Sequence, residues 1–268
     1  MPTRHAIARE GTDLVYWTWP GAEPPALLLH GIGNYGRYWD PFADAIARRL
    51  RLVAPDARGH GESGRPAEGY APEDFVADAV AVLDAAEVEL AVVVGHSMGA
   101  MHSIYLAATH PERVRALAIV DAGVEPMPEG SERARRLLTE RPKRFVSRAE
   151  ARAYLERTSP GYPPAVYENR LAFAFHVDAG GLTWRSDPAA LEKIMGARAP
   201  GPDRWAAVRA IRAPTLVVRG TRSNVLSAEV ARRIVESLAD GRLLELDAGH
   251  NVPLDRPKEL AQAILALA

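Results

Sequence analysis

The chain has 268 residues, 47% of them hydrophobic and 25% charged, which suits one soluble α/β domain better than two small ones. Lysine and arginine number 33 against 34 acidic residues, a formal net charge of −1, so the basic excess of a nucleic-acid binder is missing. The absence of cysteine excludes disulfides, thiolate nucleophiles, iron–sulfur clusters and cysteine-ligated zinc, and no apolar run reaches the ~18 residues that span a bilayer.

The opening MPTRHAIAREG holds no apolar core of leader-peptide length, so the cytoplasm is the expected location and no membrane partner is expected. Arg4–Glu10 and Thr12–Trp19 read as two strands joined at Gly11, a hairpin. Ala26–His30 is a buried strand, Trp39–Leu50 has helical spacing through Phe42, Ile46 and Leu50, and Arg51–Ala54 is another short strand. Pro72–Val88 is a helix with an Ala/Val stripe. Ala91–His96 is a strand apolar on both faces, which calls for helices above and below it. Met98–Thr109 is a helix and Val114–Asp121 a strand. This alternation predicts a mostly parallel sheet covered on both sides.

From Ala122 to about Trp205 the rhythm stops. No buried strand is evident there, and the segment reads as amphipathic helix broken at Pro160–Pro164 and Gly180–Gly181. Alternation resumes with the strand Pro214–Arg219, the helix Ser227–Leu238, the strand Arg242–Leu246 and the helix Asp255–Leu267. The expectation is a core of residues 1–121 and 207–268 with eight strands, and a helical lid of residues 122–206 over the strand ends, where open α/β sheets bind ligands. The lid's aromatic residues are expected mainly to form its own core.

The sharpest motif is Gly95-His96-Ser97-Met98-Gly99 between a strand and a helix. A sharp strand-to-helix turn lifts a serine hydroxyl above the sheet, and glycine on either side lets strand and helix approach. The Met98 N–H then sits at a helix N-terminus, where it can stabilise an oxyanion. A serine nucleophile needs a base. His250, in Asp247-Ala248-Gly249-His250-Asn251 after the last strand, falls at the same edge of the sheet. His5, His110, His102, His96 and His176 are discounted by position, and His30 and His60 read as loop-shaping hydrogen-bonders. Gly31-Ile32-Gly33-Asn34-Tyr35-Gly36 fits G-x-G-x-x-G with Asp56 further on. A dinucleotide-binding helix would begin inside that motif, whereas here Arg37–Pro41 delays it, and that reading leaves Ser97 and His250 unexplained.

Together these motifs resemble the α/β-hydrolase fold, in particular its lidded, esterase-like serine hydrolases. The resemblance spans nearly the whole chain outside the lid. His30-Gly31-Ile32-Gly33 is similar to the family's HG-x-x loop, which implies the Ile32 N–H as a second oxyanion donor beside that of Met98. Asp56-Ala57-Arg58-Gly59-His60-Gly61-Glu62-Ser63 is similar to its D-x-R-G-H-G-x-S loop and reads as scaffold. The resemblance implies a Ser-His-acid site and a mostly parallel, doubly wound eight-stranded sheet.

The acid departs from the pattern. Similar sequences carry Ser-Asp where this one has Ser223-Asn224. Asp121, at the end of the preceding strand, is one source of the carboxylate and keeps the order serine, acid, histidine. Alternatively, Asn224 orients His250 through its amide, or the acid is absent and the protein is a ligand binder with a hydrolase shell. Asp178, Asp187 and Asp203 in the lid segment are further carboxylates. The expected chemistry is hydrolysis of a small to medium, fairly apolar ester or lactone through an acyl-enzyme, with no metal or organic cofactor. C–C bond hydrolysis or perhydrolysis on the same scaffold is the alternative. The expected partner is a small-molecule substrate, with assembly into a homo-oligomer left open.

Overall fold

The computed structural model describes every residue except 10, 126 and 197–202. The strand end expected at Glu10 and part of the segment expected as a lid therefore lie outside the described residues. Eight strands form one sheet: β1 (Thr3–Arg9), β2 (Thr12–Trp19), β3 (Pro25–Leu29), β4 (Arg51–Pro55), β5 (Ala91–His96), β6 (Val114–Val120), β10 (Thr215–Gly220) and β11 (Gly241–Leu246). Their order is β1-β2-β4-β3-β5-β6-β10-β11. β1 and β2 pair antiparallel, as do β2 and β4, and every other neighbouring pair is parallel. The C-terminal ends of β3, β5, β6, β10 and β11 therefore share one edge.

Helices cover both faces. Alternate residues along β5 feed the two sides: Val92 and Val94 pack into one core, Val93 into the other. The first core includes Phe42 and Ile46 of α1 (Asp40–Ile46) and Leu260 and Ile264 of α11 (Pro257–Leu267). The second includes side chains of α2 (Pro72–Ala85), α3 (Met98–Thr109), α8 (Arg204–Ala210) and α9 (Ala228–Ser237).

Several boundaries differ from the sequence reading. The helix expected to reach Leu50 stops at Ile46, because Ala47 and Arg48 take positive φ values of 49° and 61° and turn the chain toward β4. Leu50 is still buried, which is why its spacing imitates one more helical turn. A 3₁₀ turn, Gly36–Trp39, precedes α1, so the helix starts beyond the glycine run. The last expected helix, Asp255–Leu267, is α11 (Pro257–Leu267), and a short helix that was not expected, α10 (Val252–Asp255), precedes it.

Between β6 and β10 lie α4 (Pro128–Thr139), α5 (Arg148–Thr158), α6 (Pro164–Phe173), α7 (Pro188–Gly196) and α8. The segment is not wholly helical. β7 (Arg144–Phe145), β8 (Phe175–Asp178) and β9 (Gly181–Trp184) form a separate antiparallel sheet in the order β7-β9-β8. The expected helix break at Gly180–Gly181 is a tight hairpin pairing Asp178 with Gly181. Two four-residue strands are too short for alternation to register in the sequence. The boundary expected at 206/207 falls inside α8, whose Ala207 and Val208 pack into the sheet's own core.

Candidate active site

Ser97 stands between β5 and α3 at φ 55°, ψ −117°, a strained conformation for a residue with a Cβ. Its neighbours explain how the turn closes. A Cβ on Gly99 would lie 2.2 Å from the Leu29 carbonyl oxygen, and one on Gly95 would lie 2.5 Å from the Gly99 carbonyl oxygen. Strand, helix and the end of β3 thus touch backbone to backbone. The resulting elbow presents the Ser97 hydroxyl at the C-terminal edge of the sheet.

His250 reaches that edge from the loop between β11 and α10. Its Nε2 lies 3.0 Å from Ser97 Oγ, and its Nδ1 lies 2.7 Å from Asp121 Oδ2. With a carboxylate at Nδ1, that nitrogen carries the proton and Nε2 accepts from the serine. Asp121 follows β6 directly, at φ 50° and with no exposed surface. Its Oδ1 accepts the Gly220 N–H at 2.9 Å, and its Oδ2 also accepts the Ser223 hydroxyl. The ends of β5, β6 and β11 therefore each supply one part of the row, and the end of β10 braces Asp121.

The other carboxylate candidates go elsewhere. No hydrogen bond joins Asn224 to His250 among the described residues; its backbone carbonyl sits against Gly130 instead. Asp178 pairs with Arg144, Asp187 accepts the Ala190 N–H, and Asp203 caps α8 through the Trp205 and Ala206 N–H groups.

Ile32 lies in the turn after β3, closed by the Asn34 N–H on the Gly31 carbonyl at 3.1 Å. A Cβ on Gly31 would lie 3.1 Å from Ser97 Cβ, so this turn is pressed against the elbow. Met98 is the first residue of α3, and its N–H has no carbonyl one turn earlier within the helix. No group of three or more His, Asp or Glu side chains among the described residues is placed to hold a metal ion.

The alpha/beta hydrolase family model matches residues 26–263. The chain belongs to this family. A 3-hydroxybutyrate-oligomer hydrolase of Cupriavidus necator is 30% identical, over 93% of this chain and 91% of its own. A 2-(acetamidomethylene)succinate hydrolase of Mesorhizobium japonicum is 29% identical, over 78% of this chain and 74% of its own. The crystal structure of an E-2-(acetamidomethylene)succinate hydrolase superposes with a TM-score of 0.89 at 25% identity, covering 100% of this chain and 99% of that one. The chain is accordingly a hydrolase of the alpha/beta family.

Around the row, the hydrolase uses its other histidines as structure. His30 lies 2.8 Å from the Gly31 carbonyl through Nδ1 and accepts the Ala57 N–H at Nε2, tying the β3 and β4 loops together. His96 donates from Nε2 to the His250 carbonyl at 2.8 Å and stacks on Tyr38. Burial, together with the nearby His250 ring, lowers the His96 pKa to about 3, so it stays neutral. Asp56 accepts the Gly36 and Glu62 N–H groups, and Arg58 holds Asp78 through two nitrogens. Both brace loops, as read from the sequence. Sequence reasoning passed over Ser223 as a partner of Asp121, and His96 as the anchor of the His250 backbone. A hydroxyl in a turn and a histidine beside the serine gave no signal of contacts 102 and 154 residues away.

Proposed function

We propose that the hydrolase cleaves a small to medium carboxylic ester or lactone through an acyl-enzyme on Ser97. The observation that carries this reading is the continuous row from Ser97 Oγ through His250 to the buried Asp121 carboxylate. In this reading Ser97 Oγ attacks the substrate carbonyl and its proton passes to His250 Nε2, while Asp121 stabilises the imidazolium. The Ile32 and Met98 N–H groups receive the developing oxyanion. His250 returns the proton to the leaving oxygen, and the alcohol departs. Water then attacks the acyl-enzyme, giving up its proton to His250, which restores it to Ser97 as the acid leaves.

The segment between β6 and β10 serves as a lid, because it walls the cavity over Ser97 with Leu137, Leu138, Tyr154 and Trp184. That cavity, about 200 Å³, is smaller than the roughly 300–1,000 Å³ of drug-sized ligand sites, which favours a small substrate. A relative acting on 3-hydroxybutyrate oligomers, which are carboxylic esters, points the same way.

The test combines fluorophosphonate labelling with a panel of short-chain esters. Stoichiometric labelling at Ser97 and turnover of several esters are expected. Ser97→Ala should lower kcat by about 10⁶-fold with the melting temperature kept. Absence of both labelling and turnover would leave a ligand-binding protein. Turnover of a vinylogous diketone in place of every ester would move the reaction to C–C bond hydrolysis.

A further inference from the structure

The wall of the cavity above Ser97 carries two cations, Arg141 and Arg170, and no Asp or Glu. Several other arginines of the molecule are paired with acids. Arg37 pairs with Asp40, Arg58 with Asp78, Arg144 with Asp178, and Arg148 with Glu168. Among the described residues, no carboxylate lies within ion-pair distance of Arg141 or Arg170.

Arg141 is nevertheless held firmly. Its Nη2 donates to the Ser186 carbonyl at 3.1 Å and to the Ser186 hydroxyl at 2.9 Å, and its guanidinium lies 4.4 Å over the Trp184 ring. These neutral partners fix its direction without cancelling its charge. A guanidinium has five N–H donors, and the contacts to Ser186 use only Nη2. Burial lowers the Arg141 pKa to about 10. The group is therefore charged at neutral pH, in surroundings that penalise an uncompensated charge. The Arg170 side chain, on α6, makes no hydrogen bond or ion pair among the described residues. Other acids nearby are engaged: Asp187 holds the Ala190 N–H, and Asp255 holds the Tyr162 hydroxyl and the Gly249 N–H. Tyr38 and Tyr154, which also line the cavity, are kept neutral by burial.

The geometry points to a carboxylate subsite: Arg141 and Arg170 receive a carboxylate that the substrate carries apart from the bond Ser97 attacks. The planar guanidinium fork matches a carboxylate, and a half-ester of a short dicarboxylic acid has the required pair of groups. This deepens the proposed reading, since it adds an acid to a substrate otherwise in contact with leucine and aromatic side chains. The binding part does not depend on the reaction at Ser97.

The test separates the two. Calorimetry at low salt compares glutarate with glutaramide and with inorganic phosphate on the intact protein. Glutarate should bind at least about tenfold more tightly than glutaramide, and Arg141→Gln and Arg170→Gln should each weaken it by about tenfold or more. Arg170→Gln removes no hydrogen bond of the fold, so it remains informative if Arg141→Gln fails to fold. Kinetically, methyl hydrogen glutarate should be preferred to methyl pentanoate. Either variant should raise KM for the acidic ester at least about tenfold more than it raises KM for the neutral ester. Glutarate binding no tighter than glutaramide, or phosphate binding in its place, overturns the subsite. Acidic and neutral esters turned over alike, with neither variant affecting the acidic ester, overturn it while the Ser97 reading stands. Glutarate binding without ester turnover or Ser97 labelling sinks the Ser97 reading and leaves the subsite.

Discussion

Asp121 combines a positive φ, complete burial and three donors on two oxygens. A buried carboxylate of this kind needs its partners, because an unpaired charge is costly away from water. The Gly220 N–H and the Ser223 hydroxyl hold the group still, and His250 takes the remaining direction. Replacing Asp121 by Asn keeps the shape but removes the charge that stabilises an imidazolium. Asp121→Asn should lower kcat/KM by about 10⁴-fold, the size seen for the same change in a serine-protease site. Asn224→Ala should leave it within about twofold, since no hydrogen bond links that side chain to His250. Steady-state kinetics on one short ester decides the ranking, and a larger loss at Asn224 would remove Asp121 from the site. Asp121 was legible as a residue ending a strand at the right edge. Its choice over Asn224 was not, because both positions lie at that edge and only the paths of the two loops tell them apart.

The element that sets Ser97 is the β5–α3 junction, and its close contacts were legible from the two glycines. Gly99→Ala would bring a Cβ to 2.2 Å from the Leu29 oxygen and 2.7 Å from the His30 oxygen. Both are backbone atoms at the end of β3, just before the turn that holds Ile32, so neither can swing aside. The expected cost is about 1–3 kcal/mol, with activity falling further because strand and helix must separate beneath Ser97. Gly196, in α7, has nothing within 4 Å of an added Cβ. Gly196→Ala should be neutral or stabilising by up to about 1 kcal/mol. Urea unfolding of the two variants checks this, and equal midpoints would refute the contact argument. The small sheet between β6 and β10 was not legible, since β7 has two residues and β8 and β9 four each. Arg141 and Arg170 were equally silent: arginine is frequent in this chain, and only the packing of the segment between β6 and β10 turns these two toward the cavity.

Across the whole molecule, the histidines divide by burial. His30, His60 and His96 are at most 2% exposed, and burial lowers their pKa values to about 3, 4 and 3. The His250 side chain is 29% exposed and touches both Ser97 and Asp121. The buried rings must be neutral in the folded state, whereas in the unfolded chain they titrate near the ordinary 6.5. Their contribution to stability is therefore complete above pH 6.5. It is lost as the pH falls toward 4, because the unfolded state then binds protons that the folded state refuses. Asp56 acts in the opposite direction, since burial raises its pKa to about 6; the folded state takes up its proton first. Asp40 and Asp78, also raised by burial, add to this offset. With His102, which burial also lowers to about 3, four histidines against one strongly shifted carboxyl give a net uptake of up to about three protons on unfolding at pH 5. The melting temperature should thus fall steadily from pH 7 to pH 5, with the steepest loss below pH 6.5. Calorimetric scans across that range test it. A melting temperature that holds or rises toward pH 5 would mean that the buried rings accept protons in place, against the packing described for His30 and His96.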